Sequence, residues 1–97
     1  ALLLQELGCF SVVLEKVPAS LADEVAKSIE IPVIGIGAGP GVDGQVLVTH
    51  DMLGINDGFR PRFLRKYLNL AQDIQAAVKQ YIADVQSRGF PNEREQY

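Results

Sequence analysis

Glu15 is the side chain best placed to do chemistry. It closes the apolar run Phe10-Ser11-Val12-Val13-Leu14, and Lys16-Val17-Pro18 follow it. A carboxylate at the end of an apolar parallel strand stands where open sheets and barrels build their sites. Partly enclosed there, it suits a general acid or base. The competing reading is a surface glutamate paired with Lys16. His50 and Asp51 are the next candidates, at the end of a second apolar run, Gln45-Val46-Leu47-Val48-Thr49. Adjacent residues of a strand point to opposite faces, so the two side chains cannot both face one site, which favours supporting or structural roles.

Between these runs lies a glycine-rich stretch, residues 31–44, with glycines at 35, 37, 39, 41 and 44. Gly39-Pro40-Gly41-Val42-Asp43-Gly44 matches the dinucleotide pattern G-x-G-x-x-G letter for letter. That fingerprint requires its glycines directly after a strand and at the opening of a helix. Here a pair of glycines intervenes and a strand follows, so a Rossmann site is rejected. No glycine followed five residues later by Gly-Lys-Ser or Gly-Lys-Thr is present, which removes the P-loop. Two readings survive. Backbone N–H groups at Gly37 and Gly39 could face a cofactor at the strand's C-terminal end, or the glycines could permit a tight path and close packing across a site mouth. Asp43 reads as a turn-former.

The elements that must position these residues follow from periodicity. Residues 1–7 read as a helix stopped by Gly8, and residues 11–14 as a strand buried on both faces. The next helix opens at Ser20 as N-cap with Asp23 three residues on, and Leu21, Val25 and Ile29 form its apolar stripe. Residues 32–36 and 45–49 are the second and third strands. Residues 54–58 are turn-rich, and residues 61–67 form a short helical piece. A long helix spans residues 73–87, with Ile74, Ala77, Val78, Tyr81, Ile82 and Val85 on one face, ended by Gly89 and Pro91. The polar tail 92–97 is mobile in this reading. Strands that are apolar runs separated by helices predict an α/β fold with a parallel sheet. Three strands are too few to cover both faces and both edges. The chain, which opens without Met and inside a helical pattern, is therefore expected to be one partial domain, residues 1–97, of a larger sheet or barrel.

Composition narrows the class. The 97 residues are 47% apolar, a normal globular share, with a net charge of −3. That balance argues against a nucleic-acid surface. Arg60, Arg62, Arg65 and Lys66 are the densest basic group and read as a solvated helix face. No apolar run approaches a membrane span and no leader is visible. Cys9, the single cysteine, sits between Gly8 and Phe10 and reads as a small buried hydrophobe rather than a nucleophile. A reduced, cytoplasmic compartment fits.

The runs VVLEKVP at 12–18, IPVIGIGAG at 31–39, DGQVLVTHDMLGI at 43–55 and DIQAAVKQYIADV at 73–85 closely resemble the ketopantoate hydroxymethyltransferase family. The resemblance runs nearly end to end, with spacings intact, and covers the last third or so of a family member. It implies a (β/α)8 barrel of which the strands here are the sixth, seventh and eighth. It implies transfer of a one-carbon unit from 5,10-methylenetetrahydrofolate to 2-oxoisovalerate, giving ketopantoate for pantothenate synthesis. It implies a magnesium ion whose ligands lie outside this chain, and Glu15 as the proton acceptor. Where Lys16 stands, the family has Cys among others, and strand alternation keeps Lys16 out of the pocket of Glu15. Multi-subunit assembly is also implied, with C-terminal helices at the contacts. On this reading the 97 residues alone are inactive. The alternatives are a non-catalytic fragment completed by another polypeptide, or a related barrel enzyme acting on another 2-oxo acid.

Overall fold

In the computed structural model, which describes every residue except Asp57 and Phe59, the centre is a three-stranded parallel sheet. Strands β1 (Val12–Glu15), β2 (Val33–Ile36) and β3 (Gly44–Gln45) lie in the order β1-β2-β3. Helices α1 (Leu2–Glu6), α2 (Ala19–Ser28), α3 (Thr49–Met52) and α4 (Leu70–Gln86) complete the chain. Val12 stands opposite Val33 and Glu15 opposite Ile36, so the two main strands end level with one another. The α/β class and the parallel sheet agree with expectation.

One face of the sheet is covered. Val12, Ile29 and Val33 form the core, with Leu14, Val25, Ala26, Ile31 and Val42 packed against it. Val33 is fully buried, which is worth about 2 kcal/mol relative to an exposed valine. The inward face of α2 is thus Ala22, Val25, Ala26 and Ile29, spaced i, i+3, i+4, i+7. Leu21 is not on it. Its side chain is half exposed and flanks a groove beside Leu2 and Leu3, because small Ala22 is the residue that fits directly against the strands. Ser20 is not the N-cap either: α2 opens at Ala19 after Pro18, whose missing N–H costs a helix start nothing, and Asp23 pairs instead with Lys27 at 2.6 Å.

The other face is bare. Val12 and Leu14 point to α2, so alternation puts Val13 and Glu15 on the opposite side, where Val13 is 60% exposed. The expectation of a strand buried on both faces therefore fails within this chain, since no second layer covers that side among the described residues. Cys9 is exposed rather than buried for the same reason: it follows α1, none of whose residues is buried. Helix α4 likewise has no buried residue, and its apolar face of Ile74, Val78, Tyr81, Ile82 and Val85 is open. The radius of gyration is 22.1 Å, against about 13 Å for a compact domain of this length.

The third strand and the segments after it depart furthest from expectation. β3 has two residues, and Val46 N donates to Gly35 O at 2.8 Å as the last rung. Beyond Ile36 the neighbouring chain turns away at Gly37, so residues 47 and 48 have no ladder to join, and Thr49 enters α3. Residues 61–67 make one turn, with Leu64 N donating to Pro61 O at 3.0 Å, and no helix. Helix α4 begins three residues early, where Leu70 N and Ala71 N donate to Leu53 O and Gly54 O. At its end the left-handed residue is Arg88 (φ 60), not Gly89. The expected turn over 54–58 includes Asp57, which lies outside the described residues. The tail makes a local turn in which Glu95 accepts from Asn92. No helix among the described residues is long and apolar enough to cross a membrane.

Candidate active site

The C-terminal ends of β1 and β2 bring Glu15 and the glycine loop to one edge of the sheet. Glu15 is exposed there, on the face that α2 does not cover. Lys16 follows with φ 54, a left-handed backbone unusual for lysine, and its N–H donates to Ile36 O at 2.9 Å. The alternation expected to separate Lys16 from the site therefore stops at Glu15. Lys16 lines a cleft of ≈ 460 Å³ together with Pro18, Gly37, Gly39, Arg62 and Phe63. A second cleft of ≈ 500 Å³ shares Gly37, Gly39 and Phe63 and adds Gln45, Arg65 and Tyr67. Glu15 is not a wall of either.

Gly37 and Gly39 hold this edge open by different contacts. Gly37 has φ +63, and a Cβ there would sit 2.8 Å from Cγ of Phe63, so the ring lies directly over the glycine. Gly39 has φ +81, and its Cβ would overlap the Cβ of Ala19, the first residue of α2. Both contacts favour the close-packing reading of the glycines. Gln45 Nε2 donates to Gly39 O at 2.8 Å and braces the loop from its far side.

Asp43 does more than turn the chain. Its Oδ2 accepts from Val33 N at 2.8 Å while its own N–H donates to Val33 O at 3.0 Å. The carboxylate acts as a ladder rung at the start of β2, fixing how far the glycine loop reaches. Aspartate beside glycine was legible as a local hydrogen-bonder; its long-range partner was not. Phe63, Arg62 and Arg65 line these clefts, and in the sequence only their ring and charge could have marked them.

His50 and Asp51 lie on α3, so strand alternation does not apply to them. Among the described residues no three His, Cys, Asp or Glu side chains gather as a metal cage.

Residues 1–93 match the family described as Ketopantoate hydroxymethyltransferase. The chain belongs to that family. It is 70% identical over 95 residues to a 3-methyl-2-oxobutanoate hydroxymethyltransferase of Porphyromonas gingivalis, covering 98% of this chain and 35% of the relative. It is 68% identical over 95 residues to the protein of that name in Parabacteroides distasonis, with the same coverage. A Flavobacterium johnsoniae relative of that name is 65% identical over all 97 residues, 36% of its length. The chain thus spans about a third of the curated transferases it matches.

Proposed function

We propose that residues 1–97 supply the last three strands of a (β/α)8 barrel that forms ketopantoate, and that Glu15 is its base. The supporting observation is position. Glu15 ends a parallel strand, on the face free of α2, at the same edge as the glycine-walled clefts. In a closed barrel the helix-free face is the interior, and the C-terminal ends of strands form the site mouth. The Glu15 carboxylate takes the C3 proton of 2-oxoisovalerate. Water releases the one-carbon unit of 5,10-methylenetetrahydrofolate as formaldehyde, breaking both of its C–N bonds and giving tetrahydrofolate; the C3 carbanion adds to the formaldehyde carbon, and the resulting alkoxide takes a proton from Glu15, giving ketopantoate.

This segment does not fit a magnesium site, since its donors do not converge. The ion would need residues from the rest of the parent chain. The uncovered apolar face of α4 supports packing against the remaining barrel and a neighbouring subunit of a homo-oligomer. A cytoplasmic location suits such a biosynthetic enzyme.

Exchange of the C3 proton of 2-oxoisovalerate into D2O, followed by NMR without folate, isolates the step given to Glu15. In the full-length polypeptide Glu15→Gln should slow exchange and turnover by about 10²–10⁴-fold with the fold retained. Exchange at the unmodified rate would remove Glu15 from the mechanism.

A further inference from the structure

We propose that Lys16 is a positioning residue for the proton transfer, whose left-handed backbone, rather than its charge, holds Glu15 at the site mouth; this rests on Glu15 being the base. The Glu15 carboxylate makes no hydrogen bond or ion pair to any described residue. Its place is therefore set by the backbone that carries it, and that backbone is fixed immediately beyond it. Lys16 N–H donates to Ile36 O at 2.9 Å, the rung that closes the ladder between β1 and β2. At the same residue the chain turns with φ 54, an angle that disfavours any side chain with a Cβ.

The neighbours of Lys16 explain why the strain falls there. Three residues, Lys16, Val17 and Pro18, connect the end of β1 to α2. Pro18 has φ −52, fixed by its ring, and its carbonyl accepts from Ala22 N at 3.0 Å as α2 opens. Val17, β-branched and directly before a proline, is confined to extended backbone. The reversal that lays α2 back on the sheet thus falls to Lys16. Helix α2 cannot slide to relieve it, because Ala22 is fully buried and Ala19 lies against Gly39, where an added Cβ would overlap it. With α2 fixed on one side and Ile36 on the other, a residue that refuses the left-handed angle would break the bond to Ile36 and swing the end of β1, Glu15 included. The ammonium is not needed for this. Lys16 makes no ion pair to a described residue, and its side chain lines a cleft of which Glu15 is not a wall. Backbone strain kept beside a reacting group is the pattern of a functional constraint.

The test is exchange of the C3 proton of 2-oxoisovalerate into D2O by the full-length polypeptide, with charge and backbone preference at residue 16 varied separately. Lys16→Gly and Lys16→Asn lose the charge but take the left-handed angle readily, and should exchange within about twofold of the unmodified rate. Lys16→Val is equally neutral but β-branched. It should lower the saturated exchange rate about 10–100-fold, the loss that follows from misplacing a reacting group by about 1 Å. Its KM for 2-oxoisovalerate should change by less than about twofold, because the defect lies in the chemical step. Lys16→Thr reads the same fall if Lys16→Val does not fold. A purely structural linker would lower the Tm of Lys16→Val and leave exchange by its folded form unchanged, and that result overturns the proposal. A loss of about tenfold or more in both Lys16→Gly and Lys16→Asn also overturns it, by assigning the effect to the ammonium. Exchange that survives Glu15→Gln, or that is absent from the unmodified polypeptide, overturns the underlying base reading whatever residue 16 does.

Discussion

Gly39→Ala tests whether the glycine loop is built for packing or for ligand contact. The added Cβ would overlap the Ala19 Cβ and stand 3.1 Å from its Cα. Two costs add. An alanine held at φ +81 loses about 1–2 kcal/mol in the left-handed region. Forcing a methyl against the first residue of α2, which backbone hydrogen bonds hold in place, costs about 1–3 kcal/mol. The sum is about 2–5 kcal/mol, or a fall in Tm of roughly 5–15 °C for a chain of a few hundred residues. Thermal unfolding of the full-length polypeptide, followed by far-ultraviolet circular dichroism, reads it. Ala19→Gly should cost under about 1 kcal/mol alone. In the Gly39→Ala background it should recover the overlap portion and leave the backbone portion. A Gly39→Ala loss below about 0.5 kcal/mol, or a double variant additive within about 0.5 kcal/mol, refutes the packing account. The loop would then stand clear of α2, and its glycines would serve a ligand instead.

Two further outcomes follow from single contacts and exposed faces. Asp43→Ala removes the acceptor of Val33 N and should cost about 1–3 kcal/mol in the same unfolding measurement, whereas Asp43→Asn, which keeps an acceptor oxygen, should recover most of it. Equal losses for the two would place the effect elsewhere than in that hydrogen bond. The isolated 97 residues should self-associate with rising concentration in sedimentation velocity, through the open faces of α4 and the sheet. A single monomeric species at millimolar concentration contradicts this.

The parts of the molecule legible in its sequence are those decided by local pattern. Three apolar runs separated by helical and glycine segments fixed a parallel sheet, and Gly8 marked the end of α1. The position of Glu15 at the end of β1 was also legible, from the apolar run it closes. What pattern missed was decided by neighbours distant in sequence. Val48 and Thr49 have strand-like side chains, but a strand needs a ladder, and β2 offers none after Ile36. The arginines at 62 and 65, with Lys66, have helical spacing, yet a single turn rarely propagates without tertiary support. Here tertiary contacts favour a strap instead: Tyr67 N is drawn to Met52 O, and Phe63 is set over Gly37. That placement changes the meaning of the charges. On a helix they would be a solvated face with nothing to bind. Arg62 and Arg65 instead line two clefts at the C-terminal edge of the sheet, beside the strand that ends in Glu15.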